Sequence, residues 1–345
     1  MRYIGGKIHL LSNINVAINE NTSGDERVFC DIFSGTGCVA RYFKPRYKIL
    51  SNDFLHFSYV IQKATIENNI TPTFKKLKRN GINDPLKFLA ETEVNRLADS
   101  LFFVADNYAP NETCERMYMT KDNAERVDFI RITIEFWKKT GLINEIEYYY
   151  LLASLIEGVA NVSNITGTYG AYLKEWDKRA LKAFAMKRLN VIDNGRNNQS
   201  YNKDANKLVR EIEGDILYID PPYNSRQYAP NYHLLETISR YDNPVIKGVT
   251  GIRPYADTKS AFNIKAEVFD VFEDLITKAK FTNIIMSYSS EGLMSPKQIE
   301  TILKRHCIGD SFKRYDIPYR KYKSKISKET QPLQEYIFFI RKKKR

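Results

Sequence analysis

Four consecutive residues, Asp220-Pro221-Pro222-Tyr223, put a carboxylate, rigid main-chain carbonyls and an aromatic ring within one turn. They follow the run Gly214-Asp215-Ile216-Leu217-Tyr218-Ile219, whose apolar end predicts a buried strand of the kind parallel sheets use. Neither proline can donate a ladder hydrogen bond and each fixes φ at about −65°, so the strand must stop there. The tetrad then sits beyond the carboxyl end of a strand, where α/β sheets place their ligands. Two acceptors and a stacking face in that position can grip a planar amino group. The plainer alternative is a strand terminator followed by a capping aspartate, since four-residue motifs recur by chance.

A second constellation lies near the start of the chain. Val28-Phe29-Cys30-Asp31-Ile32-Phe33 reads as a strand running into Ser34-Gly35-Thr36-Gly37, with Cys38 to Phe43 as a helix. A Gly-x-Gly turn after a strand lets backbone approach a ligand while the helix presents free N–H groups. Tyr47-Lys48-Ile49-Leu50-Ser51-Asn52-Asp53 predicts the next strand, and Asp53 at its end can accept both hydroxyls of a ribose. Gly35 to Ala40 also satisfies G-x-G-x-x-A, so a nicotinamide dehydrogenase competes, although it explains neither the tetrad nor the charge.

The elements that position these groups follow from the remaining patterns. Strands are predicted over Asn283-Ile284-Ile285-Met286-Ser287-Tyr288 and Glu335-Tyr336-Ile337-Phe338-Phe339-Ile340. Apolar residues at three- and four-residue steps predict helices over 127–139 and 145–162 within a helical insertion, and the polar stretch 194–202 reads as a loop. Cys30, Cys38, Cys114 and Cys307 show no paired spacing and the four histidines are scattered, so no metal site is expected. No apolar run reaches bilayer length and Met1 to Lys7 has no signal-peptide character, so a cytoplasmic protein without membrane contact is expected. The net charge of +12 favours a polyanionic partner, and 23 tyrosines and 19 phenylalanines among the basic residues suit nucleic acid.

With these pieces placed, the sequence resembles the alpha-class, Dam-like DNA adenine-N6 methyltransferases of restriction-modification systems. Arg2-Tyr3-Ile4-Gly5-Gly6-Lys7 looks like their N-terminal motif, Phe33-Ser34-Gly35-Thr36-Gly37 like their F-x-G-x-G loop, and Ser51-Asn52-Asp53 like their ribose-binding acid. Asp220-Pro221-Pro222-Tyr223 matches the adenine-type catalytic motif, and Tyr232-His233 with Leu235 to Ile238, and Met286 to Gly292, resemble later stretches. The resemblance implies a Rossmann-like α/β sheet dependent on S-adenosyl-L-methionine, with a catalytic domain over 1–60 and 190–345 and a helical target-recognition insertion over 61–189. Double-stranded DNA is the implied partner, with a cognate restriction endonuclease acting on the same sequence without stable contact.

The same resemblance assigns Asp220, Pro221, Pro222 and Tyr223 to catalysis. It places Tyr3 and Lys7 beside the methionine or adenosine part of the cofactor and Asp53 on the ribose. Phe33, Gly35 and Gly37 form the cofactor turn. Asp31 supports that loop or the methionine amino group, and Asp204 contacts the cofactor adenine or caps a helix. An RNA adenine-N6 methyltransferase and a catalytically idle DNA-binding relative are the alternatives. Tyr169, Tyr172, Lys174, Trp176, Lys178 and Arg179, like Lys121, Arg126 and Arg131, either touch nucleic acid or form the wet basic face of an amphipathic helix.

Overall fold

Seven strands make one sheet: β1 (Val28–Asp31), β2 (Lys48–Asn52), β3 (Gln199–Tyr201), β4 (Glu213–Ile219), β5 (Lys280–Ser289), β6 (Lys313–Pro318) and β7 (Gln334–Arg341). The computed structural model describes residues 6–94, 101–318 and 334–343. The spatial order is β3-β2-β1-β4-β5-β7-β6, with β1 to β5 parallel and β7 antiparallel to both its neighbours. From β1 the chain proceeds outward one way through β2 and β3, and the other way through β4 and β5. The reversal falls between β1 and β4, the topological switch point where open α/β sheets bind ligands.

Alternating side chains of these strands are buried on both faces. On one, Cys30, Leu217, Ile219, Ile284 and Phe338 join Phe272, Leu275 and Ile302 from the helices Val268–Lys278 and Pro296–His306. Elsewhere Phe29 stacks on Phe43 at 4.7 Å and on Tyr47 at 5.8 Å. The strands are therefore near-continuously apolar, as a sheet covered on both sides requires.

The stretch 194–202, expected as a loop, carries β3, and its polarity has a structural use. Asn198 Oδ1 accepts from Ile49 N (2.9 Å), Asn194 Nδ2 donates to Lys44 O (2.7 Å) and Tyr47 O (2.9 Å), and Ser200 pairs with Ser51 (3.0 Å). Asparagine side chains thus complete the backbone hydrogen bonding around β2, which a periodicity argument scores as loop.

The chain divides into two compact units. The sheet belongs to one, made of Lys7–Phe54, Asn194–Gln227 and Lys259–Arg345; the other is Met1–Gly6, Leu55–Asp193 and Tyr228–Thr258. The second unit is helical, with its own core around Leu151, Leu155, Ile130, Ile134, Phe57 and Leu235. Its long helices are Lys121–Lys139, capped by Thr120, and Glu145–Val162, whose Asn144 and Glu147 form a reciprocal capping box. The expected insertion ran over 61–189. Residues 228–258 also cluster with it, and two buried charges account for that. Glu236 accepts from His56 N and Phe57 N, both at 3.1 Å, at the start of the His56–Gln62 helix. Arg131 donates to Ile238 O (2.8 Å) and Ser239 O (3.3 Å) at the end of His233–Arg240. Among the described residues no helix is long and apolar enough to cross a membrane.

Candidate active site

The tetrad begins where β4 ends. Register pairs Ile219 with Met286, so the residue after each strand partner, Asp220 and Ser287, come side by side. Ser287 Oγ donates to Asp220 Oδ1 at 3.1 Å, and Tyr218 OH lies 2.7 Å from Ser287 Oγ. A carboxylate can only accept, so the Ser287 hydroxyl spends its proton on Asp220 and accepts the proton of Tyr218. Lys7 Nζ reaches the same Oδ1 at 3.0 Å and lies 5.6 Å from the centre of the Tyr223 ring. Asp220 Oδ1 thus takes two donors, while Oδ2 has no hydrogen-bond partner among the described residues and the side chain is 16% exposed.

Electrostatics follow from this burial. Desolvation pushes the Asp220 carboxyl above its ordinary value, and the Lys7 ammonium and Ser287 hydroxyl hold back part of that rise. Burial alone would favour neutral Lys7, but the Asp220 and Glu335 carboxylates outweigh it and the ammonium is retained.

Pro221 is buried and Pro222 and Tyr223 are half-buried. The Tyr223 ring meets Tyr288 edge-on, at 6.4 Å and 77°, and its carbonyl accepts from Leu293 N at 2.9 Å. Beyond the tetrad, Asn263 Nδ2 donates to Asn224 O (2.6 Å) and Arg226 O (3.0 Å), and Gln227 and Ser260 exchange two hydrogen bonds. These tie down the loop that leaves the site.

The glycine turn stands at the end of β1. Gly35 and Gly37 have φ of 52° and 77°, a left-handed conformation that glycine adopts without strain, and Gly37 precedes the Cys38–Phe43 helix. Asp53 holds this turn, its Oδ2 accepting from Gly35 N at 2.8 Å. Asn202 Nδ2 donates to the Asp53 carbonyl at 2.9 Å. Phe33 packs edge-on against Phe262 at 5.0 Å. Asp31, 1% exposed, accepts from Ser34 Oγ (3.0 Å) and Ala40 N (3.2 Å) on Oδ2 alone. Its Oδ1 is buried with no hydrogen-bond partner among the described residues. Burial, with a smaller push from the Asp220 and Asp53 charges, raises its pKa to about 8.

The site therefore brings together Asp220, Pro221, Pro222, Tyr223 and Lys7 at β4, and Asp31, Phe33, Gly35, Gly37 and Asp53 at β1 and β2. Tyr3 lies outside the described residues. Lys7, expected beside a cofactor, makes its ion pair with Asp220. Asp204 caps the Ala205–Leu208 helix through Lys207 N at 3.0 Å.

Ser287, Tyr218 and Asn52 were not singled out in the sequence. Asn52 ties the β1 end to the loop after β3, donating to Ile32 O and Lys203 O and accepting from Lys203 N, each at 3.0 Å. Ser287 lies in a stretch already noted, but its role depends on β5 lying beside β4.

The basic candidates of the helical unit separate by environment. Arg131 is buried in the fold and Arg126 is spent on Leu89 O and Thr92 O, whereas Lys121 is exposed beside Glu125. The 169–179 segment is irregular rather than an amphipathic helix: Tyr169 is buried, Tyr172 packs on Tyr118 at 5.2 Å, and Arg179 pairs with Asp177. Lys174 and Lys178 are exposed. Among the described residues no group of three or more His, Cys, Asp or Glu side chains is placed to hold a metal.

The chain is 54% identical to the type II methyltransferase M.FokI of Planomicrobium okeanokoites, over 99% of this chain and 53% of that protein. It is 46% identical to the modification methylase StsI of Streptococcus sanguinis, over 99% and 52% of the two chains. The chain thus spans about half the length of these two relatives. With the type II methyltransferase M.NlaIII of Neisseria lactamica it shares 38% identity over 94% of this chain and 93% of the other. Residues 3–302 match the model of one family throughout, and the chain belongs to that family, the D12 class N6 adenine-specific DNA methyltransferases.

Proposed function

We propose that the chain transfers a methyl group from S-adenosylmethionine to the N6 amino group of adenine in duplex DNA, as the modification enzyme of a restriction system. The observation that supports this reading is Asp220: fixed through one oxygen by Lys7 and Ser287, it leaves the other without a hydrogen-bond partner among the described residues, in the turn that also carries Pro221 and Tyr223. S-adenosylmethionine, when bound, would supply the methyl group on a sulfonium and would leave as the neutral thioether, its sulfur keeping the electron pair of the broken S–C bond. Its fit rests on Asp31, whose buried Oδ1 has no donor among the described residues and suits the methionine ammonium, and on the Gly35–Gly37 turn with Asp53 for the ribose.

The amino nitrogen of adenine is a poor nucleophile because its lone pair is delocalised into the ring. Asp220 Oδ2 and the Pro221 carbonyl accept its two N–H bonds, drawing it toward tetrahedral character and stabilising the positive charge that develops there. No strong base is needed before attack. Once the new N–C bond has formed, the nitrogen sheds one proton, for which the Asp220 carboxylate is the nearest acceptor. Tyr223 stacks on the base, which must be flipped from the duplex at a cost of a few kcal/mol; stacking recovers about 1–3 kcal/mol.

Target reading belongs, on this view, to the helical unit, and a companion endonuclease recognises the same sequence without stable contact. The test is tritiated methyl transfer to mixed-sequence duplex DNA followed by nucleoside analysis, with N6-methyladenine as the expected product. Asp220→Ala is expected to abolish transfer and keep duplex binding. Label found only in cytosine or RNA would overturn the substrate.

A further inference from the structure

A hairpin in the helical unit is built to face outward. Lys247 and Ile252 pair through both backbone hydrogen bonds, at 2.9 and 2.8 Å. The four carbonyls between them are all engaged by side chains beneath. Arg116 donates to Gly248 O (3.1 Å) and Val249 O (2.9 Å), Tyr118 to Thr250 O (3.1 Å) and Tyr108 to Gly251 O (2.8 Å). Gly251 permits that approach, since a Cβ there would lie 2.9 Å from Arg116 Nε and 3.0 Å from the Tyr108 ring.

Every peptide here is trans, so each N–H points opposite to the C=O of its own planar unit. The amides of Val249 and Thr250 therefore turn away from Arg116, and they have no acceptor among the described residues. Val249 beside them is 79% exposed, and Lys247 is exposed with no ion-pair partner among the described residues. The tip is thus rigid, apolar in its one outward side chain and electropositive in its backbone.

The hairpin shares its anchor with a second exposed segment. Tyr118 OH also lies 2.7 Å from Tyr169 O, so its one proton is shared between that carbonyl and Thr250 O, and it lies 3.1 Å from His233 Nε2, which is itself 2.8 Å from Tyr169 O. Because a carbonyl can only accept, His233 Nε2 carries the proton and the ring is neutral, as its burial also requires. Tyr118 O accepts from Asn164 N (2.7 Å), and Asn164 exchanges hydrogen bonds with Leu173. The hub Tyr118–His233–Tyr169 therefore fixes both the hairpin and the loop that carries Lys174 and Lys178.

We propose that the 247–252 hairpin is a phosphate-contacting element for duplex DNA. The Val249 and Thr250 amides and Lys247 take one backbone phosphate, and the hub holds Lys174 and Lys178 in fixed relation to it. This rests on the DNA reading above. Main-chain amides and lysines are the usual phosphate partners and position a protein on the duplex without reading sequence. The charge of +12 points the same way.

The experiment measures binding of a fluorescein-labelled, mixed-sequence duplex by anisotropy across a salt series. It compares wild type with Val249→Glu, Val249→Lys and Lys247→Ala, all at exposed positions. Val249→Glu is expected to weaken binding by about tenfold, Val249→Lys to tighten it, and Lys247→Ala to lower the salt slope by about 1. All three should keep wild-type affinity for S-adenosylmethionine and a wild-type circular dichroism spectrum. Wild-type duplex binding with Val249→Glu and Val249→Lys both within about twofold of it would overturn the hairpin proposal alone. Wild type failing to bind duplex would remove the DNA reading and the hairpin with it.

Discussion

Lys7 does for Asp220 what its place in a glycine-rich N-terminal motif does not announce. With Ser287 it occupies one carboxylate oxygen and opposes the rise in pKa that burial imposes. On the proposed reaction, transfer needs Asp220 ionised, so activity should fall as pH drops through its pKa, at a pH above the ordinary carboxylate range. Lys7→Gln removes the opposing charge and raises that pKa further. The acid limb of the kcat–pH profile should then move to higher pH, with Lys7→Arg restoring it and Ser287→Ala giving a smaller move in the same direction. An acid limb that stays in place in Lys7→Gln would sink the positioning role. Asp31 carries a second titration. The folded chain holds its proton up to about pH 8, whereas an unfolded carboxyl releases it near ~4, so ligand-free protein loses stability as pH rises through that window. A cation arriving at Oδ1 favours the carboxylate and expels the proton. Titration calorimetry of S-adenosylmethionine near neutral pH should therefore give heats that depend on buffer ionisation enthalpy. Asp31→Asn should remove that dependence, and buffer-independent heats in wild type would exclude the contact.

At the scale of elements, the Ala205–Leu208 helix shows how one aspartate can satisfy two readings. Asp204 caps its first turn, so Asp204→Ala should cost about 1 kcal/mol of stability and Asp204→Ser almost nothing. Chemical denaturation measures both. If S-adenosylmethionine affinity falls equally in the two variants, Asp204 serves the cofactor as well as the helix. The strands of the switch point were legible from apolar runs ended by Pro-Pro, Gly-x-Gly or Asp, because burial on both faces and abrupt termination leave marks in one dimension. The long helices were legible from apolar periodicity, Glu145–Val162 to the residue, whereas Lys121–Lys139 was read only from Val127 because its polar first turns carry no such period. What could not be read were the contacts made by adjacency across the sheet. Ser287 meets Asp220 only because β5 lies beside β4, and Asn194 and Asn198 look like loop residues until their side chains are seen on the backbone around β2. The 169–179 segment was the reverse case: one reading of it was an amphipathic helix, whereas Tyr169 is buried and Tyr172 half-buried against Tyr118 in an irregular chain.

For the whole molecule, the helical unit takes in more than the insertion expected from the sequence. It takes in 228–258 as well as 55–193, and two buried charged side chains join them, Glu236 on the start of one helix and Arg131 on the end of another. An exchange that transplants 55–193 alone mismatches the two segments where Arg131 meets the carbonyls of Ile238 and Ser239 and where Glu236 meets the amides of His56 and Phe57. If this unit reads the target, a chimera carrying both segments from a relative with a different recognition sequence should methylate the donor's sequence. One carrying 55–193 alone should fold poorly and methylate neither well. Sequencing of methylated random-site DNA decides the outcome. A two-segment chimera that folds, binds S-adenosylmethionine and keeps the recipient's sequence preference would place target reading in the sheet unit instead.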